Sequence, residues 1–250
     1  MIGRNIDTIA FMSGLFTRVR QSIRWRLGMP VASAKLEQGT DKSVAEFYNN
    51  RVTGCEFLDD PTHYEHPRAV WVLEQVKGGN LLEIGCGNGG MTRLLAPQVD
   101  HLTAFDVSEP SLRQLEELGL PNVTTASGLL ESFDPGRQFE YIVMSEVIEH
   151  LRDPLAAVKR SFDWVAPGGA FVLTTPNGHW ESDEHLHEFS LQSFSQILAQ
   201  MDCESFEAAY LRDRDGRRRW LTAILKRAET PAAPDDFFDR KATARQRRSI

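Results

Sequence analysis

No stretch of this 250-residue chain holds eighteen uninterrupted apolar residues, so nothing in it reads as a membrane-spanning helix. Cysteine is scarce: Cys55, Cys86 and Cys203 are widely spaced and form no C-x-x-C, which argues against a disulfide framework and against a cysteine-rich zinc site. A reducing cytoplasm is the expected compartment. Basic residues are also short, 28 against 35 acidic ones for a net charge of −7, so the surface lacks the footprint of a general nucleic-acid binder. The arginines at 212, 214 and 217–219 have no interleaved aromatics and read as charges that protect a hairpin edge. With 41% apolar and 25% charged residues and no internal repeat, collagen-like, mucin-like and wholly disordered chains are excluded.

Three regions are distinguished. Residues 1–40 form a basic, amphipathic extension: 1–29 carry five arginines, one aspartate and no lysine beside apolar residues such as Ile9, Phe16, Ile23 and Trp25. That composition suits peripheral contact with a membrane surface, and a helix packed on its own domain is the competing reading. Residues 41–227 form the main domain. Residues 228–250, rich in proline and then in arginine, read as a loosely ordered tail.

Within the main domain, helical spacing over 41–51 and 66–76 gives two N-terminal helices, and strands and helices then alternate. Strands are expected at 81–84, 101–107, 123–126, 141–144 and 170–174. Helices open at Met91, at Ser111 and near Asp153-Pro154, the last stopping at Pro167-Gly168-Gly169. Such repeats require right-handed crossovers, giving an open, doubly wound, mostly parallel α/β sheet. Ser190 caps another helix, and the runs 205–211 and 217–225, joined through Asp215-Gly216, add a C-terminal antiparallel hairpin.

The chemistry starts at Leu82-Glu83-Ile84-Gly85-Cys86-Gly87-Asn88-Gly89-Gly90, where a strand gives way to a helix. Glycines there let backbone N–H groups approach a ligand closely. Twenty-one residues after Gly85, Asp106 ends the next strand, placed to accept hydrogen bonds from ribose hydroxyls. Taken alone, the spacing also satisfies the G-x-G-x-x-G of nicotinamide-binding folds. Glu83 inside the first strand, the extra glycine at 89, the closing hairpin and the Pro167-Gly168-Gly169 turn decide between them. On these residues the chain resembles the class I S-adenosylmethionine-dependent methyltransferases over roughly 41–227.

The resemblance implies a seven-stranded sheet with S-adenosylmethionine as cofactor. Glu83 and the turn Gly85, Cys86, Gly87, Asn88 and Gly89 would lie near its methionine end, with Asp106 on the ribose and Val107 against adenine. Many relatives carry an aspartate after the third strand that holds the adenine amino group. Here Ser127-Gly128-Leu129-Leu130 stands in its place, so adenine is expected on backbone groups of Gly128 and Leu129. Ser145, at the end of the fourth strand, completes the expected cofactor set.

The acceptor side is Ser145-Glu146-Val147-Ile148-Glu149-His150. If the segment turns helically, Glu146, Glu149 and His150 fall at i, i+3 and i+4 and could supply a divalent cation with two carboxylate oxygens and a nitrogen. A second polar cluster after the fifth strand holds His179, His185, His187 and Glu188. The arrangement is similar to quinone-pathway O-methyltransferases, with their Glu-x-x-Glu-His segment, and to RNA terminal 2′-O-methyltransferases, which add histidines after strand five to complete a metal site. His150 is the first choice for proton acceptor and His187 the second, with Glu146 and Glu149 as orienting carboxylates. The same four residues are the candidate metal ligands. The helix with Phe47, Tyr48 and Asn49 is expected to act as a lid, as its counterpart does in similar enzymes.

The expected function is methyl transfer to a hydroxyl of a small-molecule acceptor, phenolic, quinone-precursor or sugar-containing. Two alternatives stand beside it: metal-dependent 2′-O-methylation of an RNA terminus, and a non-catalytic S-adenosylmethionine-binding protein that acts through partners.

Overall fold

The computed structural model describes residues 41–51, 56–180, 182 and 184–229. The expected basic extension, and with it the expected membrane contact, lies outside the described residues, as does the tail from residue 230. No helix among the described residues is long and apolar enough to cross a membrane.

Seven strands form one sheet: β1 (Asn80–Ile84), β2 (His101–Asp106), β3 (Val123–Ser127), β4 (Phe139–Ser145), β5 (Val165–Pro176), β6 (Ser205–Arg212) and β7 (Arg218–Lys226). Their order is β3-β2-β1-β4-β5-β7-β6. The first five run parallel, and β7 is antiparallel to both β5 and β6. This is the expected doubly wound sheet with its closing hairpin. Order reverses between β1 and β4, and at such a switch point neighbouring crossovers go to opposite faces and leave a crevice beyond the strand ends.

Six α-helices are described: α1 (Asp41–Asn49), α2 (His66–Glu74), α3 (Thr92–Leu95), α4 (Glu109–Glu117), α5 (Pro154–Asp163) and α6 (Leu191–Leu198). Their starts follow cap chemistry. The Asp153 carboxylate accepts from the Ala156 amide at 2.9 Å, and Ser190 and Ser193 form a reciprocal capping box. α3 is one turn long and tightens into a 3₁₀ turn over Ala96–Gln98, where Pro97 cannot continue the α pattern.

Both sheet faces are buried, and the alternation of the pleat sorts the core. Leu82, Ile84, Ile142, Met144, Phe171 and Leu173 pack with Phe162, Phe194 and Leu198, while Leu81, Val143 and Val172 pack with Val72, Leu95 and Leu115. The Pro167-Gly168-Gly169 turn expected between helix and strand is instead taken into a continuous β5. Register against β4 shifts between the Phe139↔Val165 and Tyr141↔Ala170 pairs, so the three residues form an irregularity within the ladder. Gly169 is required there because a Cβ would sit 2.7 Å from the Glu140 carbonyl oxygen.

Candidate active site

The turn after β1 is fixed by its own backbone. The amides of Gly85 and Cys86 both donate to the Phe105 carbonyl, at 2.8 and 3.2 Å. Gly85 has φ 77°, and a Cβ there would collide with Val147, so β1 and the segment after β4 meet at van der Waals distance. Gly87 also lies in the left-handed region, φ 54°, but a Cβ on it would meet nothing within 4 Å. That open space is the cradle in which a ligand can lie against bare backbone.

Asp106 locks this turn to the next strand. One carboxylate oxygen accepts from the Gly87 amide at 2.8 Å and the other from the Ser108 amide at 2.8 Å, which leaves further lone pairs on a group that borders the crevice. Burial pushes its pKa up while these amide bonds pull it down. The crevice has a volume of about 280 Å³. Of the expected cofactor residues, Gly85, Gly87, Asn88, Asp106, Val107, Gly128 and Leu129 line it. Glu83, Cys86, Gly89 and Ser145 are not on its wall.

Glu83 stands behind the turn, 3% exposed, accepting from the Thr92 hydroxyl at 2.7 Å and so tying β1 to α3. Burial pushes its pKa up from 4.5 to about 8, against the pull of Thr92. A carboxyl whose folded pKa lies above its unfolded one stabilises most fully below about pH 4.5, and that stability is lost as pH rises toward about 8. Thermal melts of Glu83→Gln should therefore gain on the native chain by roughly 1 kcal/mol per pH unit through that window. A gap independent of pH would refute the assignment.

At the adenine end the Gly128 amide donates to the Asp106 carbonyl at 3.2 Å, and the Leu129 carbonyl accepts from the Ser132 and Phe133 amides at 3.1 and 3.0 Å. Gly128 and Leu129 both line the crevice, and of the backbone groups expected from the sequence to meet adenine the Gly128 amide is already engaged. Glu131, which the sequence reading passed over, is exposed and lines this end.

At the opposite end a short 3₁₀ turn, Ile148–His150, follows β4. Glu146 lies before that turn with φ 57°, so the helical spacing expected for Glu146, Glu149 and His150 does not form. The groups that converge are Glu149, His150 and His185, whose ligand atoms lie within 4.8 Å of one another. His187 is stacked near Phe189, ring centroids 6.0 Å apart, and takes no part in this cluster.

Hydrogen bonding fixes the polarity of the cluster. His150 Nδ1 is 3.1 Å from the Glu184 carbonyl, which can only accept, so Nδ1 carries the proton and Nε2 presents a lone pair. Glu149 Oε2 accepts from the Thr175 hydroxyl at 2.9 Å, whereas buried Oε1 has no hydrogen-bond partner and stands 3.7 Å from His150 Nε2. Burial holds the His150 pKa down and lowers that of His185 to about 4, so both rings are neutral near pH 7. Burial pushes Glu149 up. The result is a corner rich in acceptor atoms, which reaches the crevice wall at His150 beneath the Tyr48 hydroxyl.

The α1 segment, which the sequence suggested as a lid, packs over this corner. Tyr48 meets the His150 ring edge-on at 6.1 Å, and its buried hydroxyl has no hydrogen-bond partner. Arg51 forms an ion pair with Glu184 across the mouth. Both partners line the crevice, and neither had a local signal that would pair residues so far apart in sequence.

A family model described as a methyltransferase domain matches residues 59–220. The chain belongs to this family. It is 33% identical to a ubiquinone biosynthesis O-methyltransferase of Pseudomonas fluorescens over 128 residues, covering 47% of this chain and 54% of the relative. The corresponding figures for a protein of the same description from Ruegeria pomeroyi are 34% over 120 residues, 45% and 47%. The chain thus spans about half the length of these relatives. Among solved structures, the N-methyltransferase NodS of Bradyrhizobium japonicum with S-adenosyl-L-homocysteine superposes with TM-score 0.61 at 21% identity, covering 76% of this chain and 99% of NodS. The [4+2]-cyclase SpnF superposes with TM-score 0.63 at 15% identity, covering 81% and 99%. Fold and family make this a class I S-adenosylmethionine-dependent methyltransferase, and the open cradle at Gly87 beside Asp106 fits that cofactor. The acceptor has to be read from the site, because the same fold serves a cyclase.

Proposed function

We propose that this methyltransferase transfers its methyl group to a hydroxyl oxygen of a small, planar, phenol-like acceptor. The observation that carries the reading is the acceptor atom His150 Nε2 at the crevice wall, backed by Glu149 Oε1 and His185, to which a hydroxyl hydrogen could be given. Around that corner the crevice wall is apolar at Val44, Leu151 and Leu186 and presents the Tyr48 ring, a setting for a flat ring with one polar edge. The O-methyltransferase relatives support the same choice.

When bound, S-adenosylmethionine supplies an electrophilic methyl carbon on a sulfonium. As the acceptor oxygen takes that methyl group, His150 Nε2 would accept the hydroxyl proton. The lining side chains contribute chiefly by holding the acceptor oxygen in line, and a neutral imidazole accepts the proton as charge develops. Two neutral imidazoles and a carboxylate also form a donor set suited to a divalent cation. Glu149, His150 and His185 would hold it, and its charge would lower the pKa of a nearby hydroxyl.

The test is transfer of labelled methyl from S-adenosylmethionine to catechol and ring-substituted catechols, with an RNA oligonucleotide bearing a free 3′ terminus as a separate acceptor. Label is expected on a phenolic oxygen. A chelator is expected to lower the rate at least about tenfold, with recovery on adding Mg²⁺ or Zn²⁺. Label confined to an amine or to RNA would overturn the acceptor class, and a rate indifferent to the chelator would remove the cation.

A further inference from the structure

Beneath the mouth of the crevice runs a continuous array of side-chain hydrogen bonds that no local sequence pattern announces. It begins at Arg68 on α2, a guanidinium 7% exposed on the same buried stripe as Ala69 and Val72. Arg68 Nη2 donates to Glu65 at 2.7 Å, and Nη1 donates to the Ser145 hydroxyl at 2.7 Å. Ser145 and Thr174, on adjacent strands β4 and β5, pair through their hydroxyls at 2.8 Å, and the Thr174 hydroxyl meets Glu146 Oε1 at 2.9 Å.

The direction of this array is forced. A guanidinium has no acceptor, so Ser145 accepts from Arg68, and with Glu146 ionised Thr174 has to give its hydrogen to the carboxylate and so accepts that of Ser145. Every bond points from the cation toward the anion, an arrangement in which each bond polarises the next. Glu65, anchored in turn by the Tyr64 hydroxyl at 2.9 Å, fixes the other arm of the guanidinium.

Glu146 is the residue on which the array ends, and its backbone is unusual. It is the one described non-glycine residue in the left-handed region, φ 57°, with its amide held on the Thr174 carbonyl at 3.0 Å. Such a conformation persists only where surrounding structure over-determines it, and it recurs at functional sites. Here the constraint is visible, since Thr174 grips Glu146 through both carbonyl and hydroxyl. Glu146 lines the crevice next to Val147 and His150, so the carboxylate is presented where cofactor and acceptor must meet.

We propose that Arg68 is a positioning residue which, through Ser145 and Thr174, holds Glu146 as the carboxylate that receives the acceptor. This deepens the hydroxyl-methylation reading and rests on it for the role of Glu146 in turnover. Arg68 touches neither cofactor nor acceptor in this scheme; its effect is carried by the polarity of the hydroxyl pair. Buried charge also supports it, since Glu146, Glu65 and Glu149 all raise the Arg68 pKa against the desolvation that would lower it.

Three substitutions separate this role from simple support of the fold. Arg68→Lys keeps a donor-only cation and should keep the array's direction. Arg68→Met removes the cation that favours an ionised Glu146, so that Glu146 can take a proton and the Thr174 and Ser145 hydroxyls can reverse. Ser145→Ala cuts the array with a change too small to threaten the core. With catechol as probe, Arg68→Met and Ser145→Ala should lower kcat/KM for the acceptor by about tenfold to a hundredfold, the scale of one hydrogen bond to a charged group. Arg68→Lys should recover most of that loss. Affinity for S-adenosylhomocysteine by calorimetry should stay within about threefold in all three, since the adenosine end is untouched.

A crystal structure of each variant gives a readout independent of any acceptor. In Arg68→Met, Glu146 should lose the Thr174 hydroxyl as its donor and leave the left-handed conformation, and in Arg68→Lys it should keep both. If the native protein fails to methylate catechols but Glu146 moves as described, the acceptor reading falls and the positioning stands. Glu146 unmoved in Arg68→Met, or Arg68→Lys no better than Arg68→Met with both folded, would overturn the proposal. Equal loss of cofactor affinity and turnover would assign Arg68 to the cofactor pocket at large, and would overturn it too.

Discussion

Asp106→Ala is expected to weaken S-adenosylhomocysteine binding at least about a hundredfold while the sheet still folds. The size follows from how many interactions converge on one carboxylate. Hydrogen bonds to an ionised group contribute about 1.5–3 kcal/mol each, and a ribose offers two hydroxyls to Asp106. Removal also releases the Gly87 amide, now held at 2.8 Å, so the turn loses the contact that fixes it against β2. The turn retains the Gly85 and Cys86 amides on the Phe105 carbonyl, which is why loss of binding, and not loss of fold, is the expected outcome. Calorimetry with S-adenosylhomocysteine, together with a circular dichroism melt, separates the two. Asp106→Asn should fall between, since an amide can still accept from Ser108 but has to present either nitrogen or a weaker oxygen to Gly87. Binding of Asp106→Ala within about threefold of the native chain would remove Asp106 from the ribose and leave it a structural clamp.

The glycine turn and Asp106 were legible in sequence because their chemistry is local. A turn that has to expose backbone uses glycine, and the strand that follows at crossover distance brings its last residue alongside. The helix starts at Asp153 and Ser190 were legible for the same reason, whereas the helix expected to open at Ser111 is capped three residues earlier by Ser108. Pro167-Gly168-Gly169 misled, because the residues that end a helix also form an irregular ladder when a neighbouring strand, here β4, continues alongside.

The acceptor corner was half legible. Glu149 and His150 come from one segment, and helical spacing wrongly added Glu146 to them, since nothing in the sequence shows a left-handed residue before a single 3₁₀ turn. His185 and not His187 completes the cluster. The choice between them depends on the Leu186 and His187 amides, which bond to the Glu149 carbonyl at 2.8 and 3.0 Å and turn the loop so that one ring faces in. Arg68 left a trace only in hindsight, as a charge on an apolar stripe; its partners lie on β4 and β5, far along the chain.

His150→Ala is expected to lower turnover with a hydroxyl acceptor by about a hundredfold to ten-thousandfold, the usual range for a lost general base. Affinity for S-adenosylhomocysteine should change little, because His150 borders the proposed acceptor end, whereas Asp106 and Gly87 are the groups that would hold the nucleoside. The geometry also says what a second variant should reveal. His150 is tethered by the Glu184 carbonyl at Nδ1 and leaves Nε2 toward Glu149 Oε1, so it can take a proton unaided, whereas His185 contributes only as one of three converging ligand atoms. If a cation is held there, His185→Ala should approach the loss seen for His150→Ala, and the two together should cost little more than one, as members of a unit do. If His150 works alone as base, His185→Ala should be mild, and free imidazole should restore part of the His150→Ala rate through the space the ring vacates. Turnover in His150→Ala equal to the native rate would remove His150 from the reaction and move the search for the base to Glu149 Oε1, the unpartnered acceptor beside it.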